Sequence, residues 1–187
     1  MGTVKVFNFV TLDGYFAGPN GDVSWNSHGA EEGEFAASSL GSGSTLLFGR
    51  VTYGHMASYW PTPVALQNAP AVAEGMNRAE KVVFSRTLEK AEWSNTRLVN
   101  GNLEEEVRRM KEVPGKSMTV LGSGSIVTQL AQAGLVDEFA IMVNPVALGD
   151  GRSIFKGLKE RLDLKLTATR TFRSGVVLLS YQTVEKG

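Results

Sequence analysis

The order of strand-like and helix-like segments is the feature that most restricts the fold of this chain. Up to Val136, short runs rich in valine, leucine and phenylalanine alternate with segments of helical periodicity, and from Asp137 onward only strand-like segments follow. Alternating strands and helices are typical of a parallel sheet covered by helices, whereas consecutive strands are typical of antiparallel pairing. We therefore predict one three-layer α/β domain over residues 1–187. Its sheet should be mixed and mostly parallel, with antiparallel carboxyl-terminal strands and helices on both faces.

Apolar periodicity, glycine and proline set the boundaries of the predicted elements. The predicted strands are 4–10, 45–48, 81–84, 118–121, 139–143, 162–168 and 176–181. The predicted helices are 31–40, 71–79, 103–113 and 126–133, with Asn102 capping the third and Gly134 ending the fourth. No element is predicted in the glycine-containing loop from Asp13 to about Asn26, and a loop this long in a compact domain is more often functional than idle.

Composition argues against several classes of function. Nineteen basic residues balance nineteen acidic ones, so no net charge attracts nucleic acid or an anionic membrane, and no apolar run reaches the roughly 18 residues of a membrane span. The absence of cysteine excludes disulfides, thiolate catalysis and cysteine-ligated metals, and fits a cytoplasmic protein. With His28 and His55 as the only histidines, we expect no metal site. The lack of a G-x-S-x-G motif disfavours acyl transfer.

Glycine is over-represented, at 21 of 187 residues, or about 11% against a usual 7% or so. The sequence Leu-Gly-Ser-Gly-Ser occurs twice, and its context separates the two copies. The copy at Leu40–Ser44 lies between a predicted helix and a strand, which indicates a structural turn. The copy at Leu121–Ser125 lies between a strand and a helix, where backbone N–H groups and a helix N-terminus can bind an anion. For this second copy, anion binding and a simple turn are equally compatible with the sequence.

Two arginines follow predicted strands at the point where each strand ends. Arg50 comes after the strand at 45–48, and Arg86 comes after the strand at 81–84. In open α/β sheets, ligands bind at the carboxyl ends of the strands, so these cations and the second glycine loop should share one edge. A nucleotide with several phosphate groups would explain all three features, whereas either arginine alone would be read as a solvated surface residue.

Short segments along the whole chain together resemble a known family. They are Thr11–Ala17, Leu47–Tyr53, Val83–Arg86, Val120–Ser125 and Gly134–Glu138, followed by Pro145, Leu148–Gly151 and Phe155. In order and spacing the chain resembles the dihydrofolate reductase-like superfamily, especially small bacterial proteins similar to the reductase domain of riboflavin biosynthesis. Each segment is short, and the resemblance depends on their succession from end to end.

The resemblance implies that NADPH is the cofactor. It implies that Gly49, Arg50 and Thr52 meet the phosphates, and that Ser85 and Arg86 receive the ribose 2′-phosphate. The glycine-rich loop and the helix after it would hold the pyrophosphate, through Gly122, Ser123, Gly124, Ser125 and Ile126. Here the sequence departs from the family pattern, which commonly has three glycines and then an acid, because Ser123 and Ser125 intervene.

The resemblance further implies hydride transfer from NADPH to a small heterocyclic or ribosylaminopyrimidine-like substrate, as in 5-amino-6-(5-phosphoribosylamino)uracil reductase. Asp13 and Glu31 are the candidate proton donors, although acids at the start of a helix are more often simply solvated. The candidate substrate-pocket residues are Trp25, Phe35 and Trp60, the last of which is at least as compatible with the core.

Two alternatives remain open at this point. One is a module of the same fold that binds NADP(H), a nucleotide or a signalling ligand without turnover, since fold does not fix function. The other is a dihydrofolate or pterin reductase. Apolar strands at the antiparallel end, which one layer of helices would leave uncovered, also predict a homodimer.

Overall fold

The computed structural model of the protein describes residues 1–26, 29–40 and 42–184. Within these residues the strands are β1 (Thr3–Thr11), β2 (Tyr15–Ala17), β3 (Thr45–Gly49), β4 (Lys81–Phe84), β5 (Thr96–Val99), β6 (Ser117–Leu121), β7 (Glu138–Asn144), β8 (Arg152–Ser153), β9 (Leu164–Thr171) and β10 (Val177–Thr183). The helices are α1 (Ala30–Leu40), α2 (Arg50–Tyr59), α3 (Pro63–Asn68), α4 (Pro70–Arg78), α5 (Leu103–Lys111) and α6 (Gly124–Gln132). None of these helices is long and apolar enough to cross a membrane.

Eight strands form one sheet in the order β5-β4-β3-β6-β1-β7-β10-β9, and β2 pairs with β8 in a separate ribbon. Strands β5, β4, β3, β6, β1 and β7, the first six in this order, are parallel to one another, and β10 runs antiparallel to β7 and to β9. The predicted fold class, a mostly parallel α/β sheet with an antiparallel carboxyl-terminal end, is confirmed. Because the six strands run in one direction, their carboxyl ends lie along the same edge, here called the carboxyl edge.

Helices cover both faces of the sheet, as predicted. On one face, Val4 and Val6 of β1 pack in a cluster with Val107 of α5 and with Val127 and Leu130 of α6. We call this the α5/α6 face.

On the opposite face the core is formed by two clusters of aromatic and aliphatic side chains. Phe48 of β3 packs with Tyr53 of α2 and with Trp93, while Phe7 and Phe35 pack against the cluster next to it. We call this the α1/α2 face. The two faces together make the sheet the middle layer of three.

Local sequence signals explain which boundaries were predictable. The strand at 81–84 has the predicted bounds, and Asn102 caps α5 by accepting hydrogen bonds from the N–H groups of Glu104 and Glu105, at 2.9 and 3.3 Å. Gly134 has a φ of 66°, and the Leu135 N–H bonds the Leu130 carbonyl at 2.9 Å, which is a glycine-dependent helix end. Caps and glycine ends depend on a few adjacent residues, so sequence alone reveals them.

Several elements were not predicted from the sequence. Helix α2 has Tyr53 as its one buried side chain, so it lacks the repeated apolar positions by which a helix is recognised. Strand β5 is only four residues long and lies at the edge of the sheet. Strands β2 and β8 are short and, within the described chain, pair only with each other. The strand predicted at 162–168 instead spans Leu164–Thr171. Helix α3, which begins at Pro63, was not predicted. These elements depend on distant contacts rather than on local periodicity.

Lys81 is a buried charge at the start of β4, with 1% of its surface exposed. Its ammonium group donates hydrogen bonds to the carbonyls of Met76, Asn77 and Ala79, at 2.8, 3.2 and 2.7 Å, and lies 4.4 Å from the ring centre of Trp93. Carbonyls at the end of a helix have no partner within the helix, so Lys81 satisfies the carboxyl-terminal end of α4. Burial lowers the pKa of Lys81 to about 8.

Replacing Lys81 should destabilise the protein. Lys81→Met would leave the carbonyls of Met76 and Ala79 without this donor, whereas the Asn77 carbonyl keeps Asn95, so we expect the free energy of unfolding to fall by about 2–3 kcal/mol. Since the pKa of Lys81 is about 8 in the folded protein and 10.5 as its ordinary value, the unfolded chain binds more protons between these pH values. The stability of the wild type relative to the variant should therefore rise with pH across this interval.

Denaturant unfolding of wild type and variant at several pH values measures both effects. Lys90→Met is the control, because the Lys90 side chain is 77% exposed and its ion pair with Glu92 lies on the surface. A surface pair contributes little, so this variant should change stability by less than about 0.5 kcal/mol. Equal stabilities of Lys81→Met and wild type would show that the buried ammonium is not needed to satisfy α4.

Candidate functional site

A cavity of about 940 Å³ opens at the carboxyl edge of the sheet. The ends of β3 and β4 contribute Gly49 and Phe84, and the first turns of α2, α5 and α6 form its walls. The β2–β8 ribbon closes one side with Phe16, Arg152 and Ser153. Strand ends and helix N-termini therefore meet here, as ligand sites in open α/β sheets do.

The structure brings together nine of the ten residues predicted to bind the cofactor. They are Gly49, Arg50, Thr52, Ser85, Arg86, Ser123, Gly124, Ser125 and Ile126. The tenth, Gly122, does not line the cavity, and its backbone has a φ of 57°. A Cβ atom at Gly122 would come within 2.9 Å of the Thr52 Cγ2, so this position supports the loop rather than facing a ligand.

Two hydrogen bonds join the first turns of α2 and α6. The Gly49 N–H donates to the Ser123 Oγ at 2.9 Å, and the Ser123 N–H donates to the Thr52 Oγ1 at 3.1 Å. Ser123 is 7% exposed and has a left-handed backbone, with φ 57° and ψ 63°, which non-glycine residues seldom adopt. The Ser123 hydroxyl accepts the hydrogen bond from the Gly49 N–H, which a glycine at position 123 could not do. The serine that interrupts the expected run of glycines therefore stabilises the loop.

The helices α2 and α6 both begin at the cavity without a side-chain cap. Among the described residues, the N–H groups of Gly124 and Ser125 have no hydrogen-bond partner. Such N–H groups and the helix dipole favour an anion at this point. The predicted anion site at the second Leu-Gly-Ser-Gly-Ser copy thus has open donors, although its ligand stays a prediction.

Four cations and one carboxylate, that of Glu104, line the cavity. The cations are Arg50, Arg86, Arg152 and Lys156, and in the described part of the chain none of them has an ion-pair partner. The cavity therefore concentrates positive charge in a protein whose net charge is zero. An anionic ligand would neutralise it.

Arg152 and Lys156 were missed by sequence reasoning. They follow Gly151 in a late loop with no strand end or glycine motif of the anion-binding kind beside them, so no local signal marked them. The fold brings this segment against α6: a Cβ at Gly124 would lie 3.0 Å from the Phe16 ring and 3.4 Å from the Ser153 carbonyl oxygen. A glycine at position 124 therefore lets the ribbon approach α6 more closely than a larger residue would without a shift of Phe16 or Ser153.

Asp13 lies at the carboxyl edge but outside the residues that line the cavity. Its carboxylate accepts hydrogen bonds from the Thr11 hydroxyl at 2.6 Å, from the Gly149 N–H at 2.7 Å and from the Leu148 N–H at 3.1 Å. The Thr11 hydroxyl, followed by the Gly149 N–H, lowers the pKa of the Asp13 carboxyl below its ordinary value. Asp13 is thus ionised at neutral pH and holds the loop at 148–149.

Glu31 and Glu32 both contact the turn between β9 and β10. Glu31 accepts a hydrogen bond from the Arg173 N–H at 3.1 Å and pairs with the Arg173 guanidinium at 3.2 Å. Glu32 is 2% exposed and accepts a hydrogen bond from the Ser174 hydroxyl. Solvation, the usual state of an acid at the start of a helix, does not hold for Glu32, because α1 packs this carboxylate against the turn between β9 and β10.

The three predicted substrate-pocket aromatics do not line the cavity. Phe35 packs between Phe7 and Phe172, with ring centres 6.1 and 6.0 Å away. Trp60 packs in the core of the α1/α2 face, and its indole N–H lies 3.1 Å from the Met56 sulfur. Trp25 donates from its indole N–H to the Asp22 carbonyl at 3.2 Å. Their contact with a substrate stays a prediction.

Two remaining sequence features fall wholly or partly outside the described residues. His28 lies outside them, as does Gly41 of the first Leu-Gly-Ser-Gly-Ser copy. The described part of that copy includes Gly43 with a φ of 75°, between α1 and β3. A positive φ is the backbone of a turn, as the sequence indicated for this copy.

The Gly122 backbone offers a direct test of the loop geometry. Gly122→Ala should lower the free energy of unfolding by about 1–3 kcal/mol, because its Cβ would collide with Thr52 and its positive φ would strain an alanine. Gly54→Ala is the matched control: it lies in α2 with nothing within 4 Å of the added Cβ, and should be neutral or stabilising by up to about 1 kcal/mol. Denaturant unfolding measures both, and a stable Gly122→Ala would refute this packing.

Comparison with known proteins gives the family. Residues 2–178 match the RibD C-terminal domain family. The Bacillus subtilis (strain 168) protein YyaP is 36% identical over 172 residues, covering 92% of this chain and 90% of YyaP. A second protein of that strain, YwjB, is 26% identical over 170 residues, covering 90% and 91% of the two chains.

Solved structures show the same fold at lower identity. A Shewanella sp. PV-4 protein named for riboflavin biosynthesis has a TM-score of 0.76 at 20% identity, over 98% of this chain and 99% of its own. Acinetobacter baumannii RibD has a TM-score of 0.73 at 15% identity, over 99% of this chain and 59% of its own, so this chain spans little more than half of that protein. The dihydrofolate reductase-like fold is thereby confirmed, and with the match over residues 2–178 and the identity to YyaP, the chain belongs to the RibD C-terminal domain family.

Proposed function

We propose that this chain is an NADPH-dependent reductase that transfers a hydride to a small heterocyclic, ribosylaminopyrimidine-like substrate. The observation that carries the proposal is the cavity at the carboxyl edge, with two helix N-termini that have no side-chain cap and four cations that have no ion-pair partner in the described part of the chain. Family membership supports a reductase, as does a structural neighbour from Thermotoga maritima named in part 5-amino-6-(5-phosphoribosylamino)uracil reductase, with a TM-score of 0.64 at 15% identity. The cytoplasmic location that we propose is compatible with the absence of cysteine.

The groups that line the cavity fit a phosphorylated dinucleotide. The N–H groups of Gly124 and Ser125, which have no partner among the described residues, suit the pyrophosphate, as does the N-terminus of α2 at Arg50. The Ser85 hydroxyl oxygen already accepts from the N–H groups of Thr87 and Leu88, at 3.2 and 2.9 Å, and its own hydrogen, whose nearest partner is the Thr87 hydroxyl at 3.5 Å, can be donated to a ligand. Together with the Arg86 guanidinium it forms a set of donors for the dianionic 2′-phosphate.

Arg152 and Lys156 extend the site beyond the residues named from the sequence. Both stand on the ribbon side of the α6 N-terminus and are free of ion pairs within the described chain. We assign them to the phosphate groups of the ligand, because both positive side chains line the same cavity as the open N–H donors. Their contribution would raise affinity without setting the preference for NADPH over NADH.

When bound, NADPH supplies the hydride, and the protein holds it and the substrate in a reactive orientation. Reduction also needs a proton, for which Asp13 and Glu31 were the predicted donors. The proposal gives Glu31 this role first, because the Asp13 carboxylate already accepts three hydrogen bonds and holds the 148–149 loop. Glu31 lies in the first turn of α1, and its side chain is 37% exposed.

A nucleotide-binding module without turnover is the second candidate function. One observation favours it: neither predicted proton donor lines the cavity, and each already has a partner in the protein, Asp13 in the 148–149 loop and Glu31 in Arg173. The two candidates share the cofactor site and differ in chemistry alone.

The cofactor site is tested by Arg86→Ala. If Arg86 holds the 2′-phosphate, the Kd for NADPH should rise about 10- to 100-fold, as expected for the loss of charge-assisted hydrogen bonds, while the Kd for NADH should change little. Arg78→Ala is the control, since Arg78 is exposed at the end of α4 and does not line the cavity. Isothermal titration calorimetry gives both constants. Equal losses for the two cofactors, or no loss, would contradict the assignment.

Turnover separates the two candidate functions. Oxidation of NADPH, followed by absorbance over a panel of ribosylaminopyrimidines, pterins and cyclic imines, should occur with the wild-type protein if it is a reductase. Glu31→Gln should then lower kcat about 10²- to 10⁴-fold and alter its pH profile, without changing the Kd for NADPH. Glu34→Gln, at an exposed position of the same helix, should leave kcat unchanged. Tight NADPH binding with no turnover over the panel would instead establish the binding module.

A further inference from the structure

One corner of the cavity differs in its polar groups from the rest. Glu104, in the first turn of α5, supplies the one carboxylate among the described residues that line the cavity. Its side chain is half-buried and has no ion pair or hydrogen bond within the described chain, although four cations line the same cavity. A carboxylate accepts hydrogen bonds and repels phosphate, so this corner suits a part of the ligand that donates.

Gln129 of α6 is a second acceptor in the cavity lining. Its Nε2 donates to the Ser125 carbonyl at 3.0 Å, and because a carbonyl can only accept, the amide oxygen Oε1 must point away from Ser125. The Gln129 side chain is exposed, and no described residue donates to its Oε1. This oxygen is therefore open to a donor from a ligand. We call the part of the cavity that Glu104 and Gln129 line the acceptor corner.

The helices α5 and α6 bring the two acceptors to the same level. Both helices begin at the cavity and run side by side, with side chains of both in one core cluster. Further along, the Arg108 guanidinium donates to the Ala133 carbonyl at 3.3 Å and so joins the two helices. Glu104 lies four residues, or about one turn, before Arg108, and Gln129 lies four residues before Ala133. The two acceptors therefore stand at about the same height on neighbouring helices.

The acceptor corner also has an apolar wall. Phe84, Leu103 and Ile126 line the cavity, and all three belong to the core cluster of the α5/α6 face. Leu103 precedes Glu104 directly, and Ile126 lies three residues before Gln129. Apolar side chains with a few placed polar groups are typical of sites for small organic ligands. The corner thus fits a flat ring that carries an amino group.

The acceptor corner lies next to the residues proposed for the 2′-phosphate. The Ser85 N–H donates to the Val99 carbonyl at 3.0 Å, and the Asn100 side chain donates to the Ser85 carbonyl at 2.9 Å. Helix α5 begins three residues after Asn100. In NADPH the 2′-phosphate and the adenine base are attached to adjacent carbons of the same ribose. A 2′-phosphate held by Ser85 and Arg86 therefore brings the base within reach of Glu104.

We infer that Glu104 and Gln129 recognise the base of the dinucleotide by accepting the two hydrogens of the 6-amino group of adenine. The inference rests on the proposed binding of NADPH and adds to it a preference among bases. A 6-oxo purine has an oxygen in place of the amino group, which would face two acceptors without a hydrogen between them. The N1–H of such a base can reach only one of the two. The cavity should therefore prefer 6-amino to 6-oxo purine dinucleotides.

Reduced nicotinamide hypoxanthine dinucleotide phosphate, which carries a 6-oxo group where NADPH carries the amino group, is the probe. Isothermal titration calorimetry on the full chain without substrate gives the Kd of both dinucleotides. We expect the wild type to bind NADPH about 10- to 100-fold more tightly than the probe. In Glu104→Gln the side-chain amide can donate to the 6-oxygen, so this ratio should fall below about threefold. The lost charge affects both dinucleotides alike, so the ratio isolates the contact with the base.

Glu105→Gln is the matched control, because Glu105 is the next residue of α5, is exposed and does not line the cavity. It should keep the wild-type ratio, and thermal unfolding verifies that both variants fold. A wild-type ratio near one, or a ratio that Glu104→Gln leaves unchanged, would overturn the inference while NADPH binding itself still stands. Failure of the wild type to bind either dinucleotide would overturn the proposed cofactor site and this inference with it.

Discussion

Most residues of the candidate site depend on six strands running in one direction. Gly49 and Arg50, at the end of β3, and Ser85 and Arg86, after β4, are far apart in sequence, yet parallel pairing places them along one edge. The same alignment directs the N-termini of α2 and α6 to that edge, because each helix follows a strand directly. An antiparallel arrangement would send alternate strand ends to opposite edges and divide the site.

Charge is arranged differently in the core and in the cavity. Lys81 and Glu32 are buried, but hydrogen bonds to carbonyls and to the Ser174 hydroxyl satisfy them, so neither needs a ligand. The cavity cations are exposed or near the surface and have no acidic partner in the described chain. Since an unpaired guanidinium in water costs little, the protein can keep these cations available for an anion without a large loss of stability.

The sequence predicts the parts of the molecule that depend on near neighbours. The strand at 81–84, the Asn102 cap and the Gly134 helix end are examples, and the position of Arg50 and Arg86 follows from strand ends alone. By contrast, Arg152 and Lys156 reach the cavity because β2 and β8 pair across more than 130 residues, and Glu32 is buried because α1 packs on a distant hairpin. Trp60 is part of the core because it packs against Met56 of α2. Helix α2 itself could not be predicted, since it lacks apolar periodicity. Contacts between residues far apart in the sequence determine these positions, and such contacts cannot be predicted from local patterns in a single sequence.

The bond between Ser123 and Thr52 has a consequence for how such sequences vary. The Thr52 hydroxyl accepts from the Ser123 N–H, while the Ser123 hydroxyl accepts from the Gly49 N–H, and the Thr52 side chain fills the space beside Gly122. A substitution at either hydroxyl leaves an N–H group without its partner, and a larger side chain at position 52 would press on the loop. Positions 49, 52, 122 and 123 should therefore covary among homologues as one unit, so that a change at one of them is accompanied by compensating changes at the others.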